Sequence, residues 1–179
     1  MAALREKDLP EFFEKLAIYE GDERTRLAIE LVMHTFVRTN EIRLARWTEI
    51  EGDMWRIPAE RMKMRREHIV PLTARSLALL ERLKAVTDGS GFICRMSENT
   101  MIYAMYRMGY HSRATIHGFR STASTILNES GLWSPDAIER QLAHVPANSV
   151  RAAYNAAQYM PERRRMMEWW SDFLEKKKG

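Results

Sequence analysis

The stretch Trp47-Thr48-Glu49-Ile50-Glu51-Gly52-Asp53-Met54-Trp55-Arg56-Ile57-Pro58, followed by His68-Ile69-Val70-Pro71, breaks the texture of the chain. Its apolar runs are short and rich in Trp, Ile and Val, residues that suit a pleated, half-buried surface. Glu51-Gly52-Asp53 reads as a hairpin turn between the first two runs. Strands are therefore expected at 47–50, 54–58 and 68–71, with 60–67 as a longer, basic connection to the third. A segment 92–95 is expected as a short strand or a turn.

On both sides of this stretch the periodicity is helical. Pro10 stands at the start of a helix expected over 9–19, with Phe12, Phe13, Leu16 and Ala17 at helical spacing. Gly21-Asp22 breaks it, and Asp22 caps a second helix to about Phe36. A short third helix follows over 39–46. Beyond the sheet, Thr73 caps a helix to about Val86, residues 99–108 form another, and Thr115 caps one over 116–130 that stops at Gly131. Ser134-Pro135-Asp136 starts a helix to about Ala143, with serine as cap and proline in the first turn. An alanine-rich helix is expected over 147–158. Pro161 opens the last one, with Met166, Trp170, Phe173 and Leu174 as its stripe. The fold class is α+β, mainly α-helical, with a small three-stranded antiparallel sheet near the middle of the chain. There is no internal repeat, low-complexity segment or linker.

Of the 179 residues, 45% are hydrophobic and 29% charged, as in an ordinary folded domain. The net charge of +4 suggests a polyanionic partner. The cations cluster at Arg61, Lys63, Arg65, Arg66, His68 and Arg75, again at Arg163, Arg164 and Arg165, and in a tail, Lys176 to Lys178, expected to be frayed and solvated. Cys94 is the single cysteine, so an intrachain disulfide and a cysteine-based metal site are both excluded, in keeping with a reducing cytoplasm. No secretory signal opens the chain. Its best apolar stretch, 27–37, is broken by Glu30 and His34 and is too short to span a membrane.

Five local patterns stand out together: Arg38, three residues before Glu41 at a helix start; Lys63 in the basic connection; His117-Gly118-Phe119-Arg120, whose outer members share a helix face; Leu142-Ala143-His144; and Arg151-Ala152-Ala153-Tyr154-Asn155. None is specific alone. Their order, Arg, Lys, His-x-x-Arg, His, Tyr, resembles the signature of the tyrosine recombinase (phage integrase) family, and the wording around them is similar to the P4-type prophage integrases. The resemblance also takes in Trp55 to Arg66, Ile69 to Leu72, Ile138 to His144 and Glu162 to Asp172, nearly the whole chain.

The resemblance implies site-specific DNA recombination, prophage integration or excision, by strand cleavage and rejoining through a 3′-phosphotyrosine. Tyr154 is the implied nucleophile. A phenol has a pKa near 10, so it needs a proton acceptor and positive surroundings to attack at neutral pH. Arg38 and Arg120 suit the anionic phosphodiester, because guanidinium groups make paired, charge-assisted hydrogen bonds to its oxygens. Lys63, in its basic neighbourhood, suits protonation of the leaving 5′-hydroxyl. His117 resembles the family's histidine that assists proton transfer near the nucleophile, and His144 the one that hydrogen-bonds a phosphate oxygen. Glu41 reads as structural, holding the loop or pairing Arg38. Arg61, Arg65, Arg66 and Arg43 are candidate DNA contacts. Tyr159, a turn and a half of helix after Tyr154, cannot point into the same site and reads as a packing residue.

No cofactor, ATP or metal is implied. The implied partner is double-stranded DNA carrying an attachment site, with a tetramer on DNA for the full-length protein, no membrane, no small-molecule substrate, and a location in the bacterial cytoplasm with the nucleoid. The implied domain is an integrase catalytic domain over 1–179, expected to be a C-terminal fragment without the arm-binding and core-binding domains, with 161–179 as C-terminal helix and basic tail. The apolar face of that helix either packs on its own domain or docks on a neighbouring protomer, as is common in the family. The family usually has a glycine near the first arginine, where this chain has Phe36-Val37. Three rival readings carry other functions: type IB topoisomerase-like relaxation, a non-enzymatic DNA-binding module with an inert tyrosine, and a helical interaction module whose basic clusters only solvate it.

Overall fold

The structure is a computed structural model that describes residues 2–63, 65–87, 91–144 and 158–179. In chain order the elements are α1 (Leu9–Ala17), α2 (Glu23–Thr35), α3 (Thr39–Arg43), β1 (Ile50–Glu51), β2 (Met54–Ile57), β3 (His68–Pro71), α4 (Ala74–Val86), α5 (Thr100–Arg107), α6 (Gly118–Ser130), α7 (Pro135–Gln141) and α8 (Met160–Lys178). Single 3-10 turns sit at Glu6–Asp8, Trp47–Glu49 and Ala59–Arg61. The strands form one antiparallel sheet in the order β1-β2-β3. The expected class, mainly helical with a small three-stranded sheet, is the observed one.

The central element is α2. Its carboxylate cap is Asp22, which accepts from Arg24 N at 2.8 Å. From Leu27 to Thr35 every residue is buried, because α4, α5, α6 and α8 surround the helix. A helix apolar nearly all round has to lie inside a domain. α8 closes the core with Met166, Met167, Trp170 and Leu174 all buried. The Trp170 indole N–H donates to Met33 O at 2.8 Å, and its ring meets that of Phe36 edge-on, centroids 5.4 Å apart. This stripe packs on the chain's own α2 and α1.

In the sheet, Trp55 lies opposite Val70, and Ile57 opposite His68. All four are buried, while Met54, Arg56 and Ile69 on the other face are only partly covered. Period-two burial of this kind fixes the register, since a slip of one residue would turn the apolar set outward. Glu51 pairs with Met54, so the turn is Gly52-Asp53, with Gly52 at φ 59° as hairpin loops require.

Four sequence expectations change. The first strand is only Ile50–Glu51, because Trp47–Glu49 wind into a 3-10 turn that turns Glu49 inward to accept from the Trp55 indole at 3.0 Å. The third helix stops at Arg43, and residues 92–95 contribute a single bridge, Arg46 to Phe92. The lysine tail is not frayed: α8 continues through Lys178, with Lys177 paired to Glu6 at 2.8 Å and Lys178 paired to Glu30. Arg163 is not part of a surface cluster. It is wholly buried, donating to Gln141 Oε1 at 2.9 Å, Ile69 O at 2.6 Å and Gln158 O at 3.2 Å. Burial holds its pKa down to about 9. Arg164 pairs with Asp53. The helix expected over 147–158 lies, save for Gln158, outside the described residues. Among the described residues no helix is long and apolar enough to cross a membrane.

Ser134 caps α7, its Oγ accepting from Ala137 N at 3.3 Å, and it also donates from N and Oγ to Glu162 of α8 at 2.7 and 2.9 Å. Ser134→Ala is expected to lower stability by about 1–2 kcal/mol, since a cap is lost and Glu162 loses one of its two partners. Urea unfolding measures this, and a midpoint equal to the parent's would refute it.

Candidate active site

The site begins where α2 ends. Phe36 takes the left-handed conformation, φ 62°, that terminates the helix. A bulky residue there carries backbone strain of order 1 kcal/mol. Burial of the ring against Trp170 outweighs it, as a buried Phe contributes about 1.5–3 kcal/mol. The left-handed turn is where a glycine would be free of strain, which gives the family's usual glycine a physical counterpart in this chain.

Arg38 follows as the cap residue of α3. Glu41, almost wholly buried, accepts from Arg38 N at 2.7 Å and from its Nη1 at 2.9 Å. Arg38 Nη2 reaches Ala143 O at 3.3 Å, 105 positions along the chain. Glu41 thus pairs with Arg38, as expected, and both residues border a cleft. That cleft, about 370 Å³, is lined by Arg38, Thr39, Asn40, Glu41, Arg61, Lys63 and His117. Its one carboxylate, Glu41, is already paired.

Arg120 lies behind Arg38. Thr115 Oγ1 accepts from Gly118 N at 2.9 Å and starts α6, which places His117 at the cap position and Arg120 in the first turn. His117 is exposed and Arg120 buried. The Arg120 guanidinium donates to Phe36 O and Leu142 O, tying α6 to the end of α2 and the end of α7. Among the described residues its Nε has no hydrogen-bond partner. Burial, then the charge of Arg38, lower its pKa to about 10. His117 is also held below the usual histidine value, first by partial desolvation at the cleft and then by the charges of Arg120, Arg38 and His144. Its ring is thus neutral near pH 7, able to accept a proton.

His144 follows Ala143, which takes φ 50° just past α7. Its Nδ1 lies 2.8 Å from Glu139 Oε2, an orienting contact. Lys63 is exposed at the rim of the cleft. Five of the six expected catalytic residues, Arg38, Lys63, His117, Arg120 and His144, thus gather from α3, the β2–β3 connection, α6 and the end of α7. The sixth, Tyr154, lies outside the described residues. Tyr159 sits at φ 47° immediately before α8, and its carbonyl accepts Arg163 N at 2.8 Å.

The four expected DNA contacts divide. Arg65 and Arg66 are exposed. Arg61 turns inward, donating to Glu41 O at 2.9 Å and to Glu49, and Arg43 pairs with Asn40 and with Glu98, both at 2.8 Å. Arg61 therefore braces the cleft wall instead of extending from it. Sequence reasoning missed Glu139, Glu49 and the Ala143 carbonyl as supports, and Thr39 and Asn40 as lining. The Glu139–His144 spacing of five gives only a faint helical signal, and a carbonyl gives none.

Residues 2–160 match the model of the phage integrase family. The chain belongs to that family. The integrase of Enterobacteria phage P4 is 44% identical over 97% of this chain and 45% of its own length. Prophage integrase IntA of Escherichia coli K12 is 40% identical over 97% of this chain and 44% of its own length. The chain thus spans about half the length of the curated relatives it matches. Among solved structures, the lambda integrase catalytic core superposes with a TM-score of 0.63 at 18% identity, over 83% of this chain and 95% of that one. A lambda integrase dimer bound to a COC′ core site gives 0.64 at 17% identity, over 88% of this chain and 59% of that one. These likenesses establish the integrase catalytic-core fold.

Proposed function

We propose that this chain is the catalytic part of a site-specific tyrosine recombinase, cutting and rejoining double-stranded DNA at an attachment site through a 3′-phosphotyrosine. The observation that carries the reading is the convergence of Arg38, Lys63 and His117 on one basic cleft, with Arg120 behind it and His144 beside it. The Tyr154 oxygen attacks the scissile phosphorus and the bond to the 5′-oxygen breaks. His117 accepts the phenolic proton, and Lys63 gives one to the departing 5′-oxygen. Arg38 and Arg120 hold the non-bridging oxygens, and His144 hydrogen-bonds one of them. A second DNA 5′-hydroxyl reverses the step, so the bond energy is retained and the chemistry needs no ATP.

Arg65 and Arg66, exposed beside Lys63, fit the duplex backbone, and binding is expected to fall steeply with salt. That a lambda integrase neighbour is bound to a DNA core site supports the same partner here. Residues 1–179 form the catalytic domain with its C-terminal helix over 161–179, in a full-length protein that assembles as a tetramer on DNA near the nucleoid. The relatives are integrases, which favours recombination over relaxation alone.

The test mixes the protein with supercoiled plasmid in EDTA, quenches with detergent, and maps the protein–DNA adduct by peptide sequencing. Relaxed DNA and an adduct on the Tyr154 peptide are expected. Duplex binding with neither product would favour the inert DNA-binding module. Absence of duplex binding at low salt would favour the interaction module. Relaxation with no exchange between two attachment sites would favour the topoisomerase reading.

A further inference from the structure

Within the buried helix α2 two ionisable side chains are buried, Glu30 and His34, one turn apart on the same face. Both meet Glu175 of α8. The His34 side chain is fully buried, with Nδ1 2.9 Å from Ser171 Oγ, which in turn lies 3.0 Å from Thr73 Oγ1. Its other nitrogen, Nε2, has no hydrogen-bond partner among the described residues and lies 3.7 Å from Glu175 Oε1. It lines a small cavity of about 170 Å³ together with Glu30, Arg75, Glu175 and Lys178. One ligand atom from each of Glu30, His34 and Glu175 can be chosen so that all lie within 4.8 Å of one another. The ammonium of Lys178, the penultimate residue, contacts Glu30 Oε1 and, at 2.5 Å, Glu175 Oε1.

We infer that Glu30, His34 and Glu175 form a binding site for a divalent metal of the zinc class, which Lys178 holds as a tethered cation until the metal displaces it. The orphaned imidazole nitrogen is the strongest pointer, because an unsatisfied buried polar atom is destabilising and rare in native folds. One nitrogen and two carboxylate oxygens are a zinc donor set, with bonds of about 2.0–2.2 Å. Tetrahedral geometry then places donor atoms about 3.3–3.6 Å apart, within reach of side-chain rotation at the partly exposed Glu175. Two carboxylates balance the metal's charge, so the ammonium leaves to solvent, while Arg75 keeps the second oxygen, Glu175 Oε2, at 3.2 Å. The Ser171–Thr73 pair orients the ring, as outer-shell partners do for metal-bound histidines. A fourth position remains for water. The bound ion would bridge α2 and α8 and pin the C-terminal helix. It shares no residue with the cleft of Arg38 and Lys63, so its test is independent of the recombinase reading.

The protein, freed of metal by chelation and dialysis, is titrated with zinc against a chromophoric chelator, and separately with cobalt(II) followed in the visible. Lys178→Ala and Glu175→Gln run beside it, with circular dichroism to confirm folding. One zinc per chain and a tetrahedral cobalt spectrum are expected. Lys178→Ala should bind about tenfold tighter or more, and Glu175→Gln at least about tenfold weaker. No zinc uptake by either the parent or Lys178→Ala would overturn the proposal, and so would uptake that Glu175→Gln leaves unchanged.

Discussion

Tyr154→Phe is expected to abolish DNA cleavage, with or without EDTA, while duplex binding and stability stay as in the parent. The substitution removes one oxygen, the only group that can form the covalent bond to phosphorus under the proposed chemistry. Tyr159→Phe is the paired control and should cleave normally. Tyr159 is half-buried just before α8, where its backbone carbonyl serves Arg163 N. A gel assay for protein-linked DNA reads both variants. Adduct formation by Tyr154→Phe would sink the assignment of the nucleophile, and loss in Tyr159→Phe alone would transfer it.

Arg120→Ala has the next largest expected effect, and it acts on two levels. Chemically, it removes a preorganised donor from the charge that develops on phosphate, with an expected fall in cleavage rate of about 10²–10³-fold. Structurally, it leaves Phe36 O and Leu142 O without their donor, at roughly 1–3 kcal/mol for each carbonyl that water cannot reach. Part of that loss is offset, because the buried guanidinium is itself costly, as its lowered pKa of about 10 reflects. Arg120→Lys keeps the charge but not the planar fork that spans both carbonyls, so it should restore little cleavage. Single-turnover cleavage and urea unfolding separate the two levels. Parent-like cleavage by folded Arg120→Ala would remove Arg120 from the mechanism.

Arg38 and Arg61 illustrate different degrees of legibility. Arg38 and Glu41 are three apart at a helix start, so their contact follows from local geometry and was readable in advance. Arg61 looked like one more cation in a basic run, yet it points inward, because Glu49 is turned toward it by the 3-10 turn that replaces the expected strand. Arg163 sits in a run of three arginines and is the buried one. Its partners are Gln141 and the Ile69 carbonyl, 22 and 94 positions away, and no local pattern encodes them. The lysine tail misled for the same reason: its order comes from Glu6 and Glu30, 171 and 148 positions distant.

By itself, then, the sequence determined what depends on near neighbours. The caps at Asp22, Thr73 and Ser134, the stop at Gly131 and the alternating sheet pattern are set by hydrogen bonds and side-chain directions within a few residues. The order of the chemically distinctive residues likewise carried the family resemblance. Only the tertiary structure decided which charges are buried and which face the cleft, that Glu139 and Ala143 support the site, and that Glu30 and His34 meet Glu175. Placing a charge inside depends on partners brought close by packing, whatever their separation along the chain, and that information exists only once the helices have closed around α2.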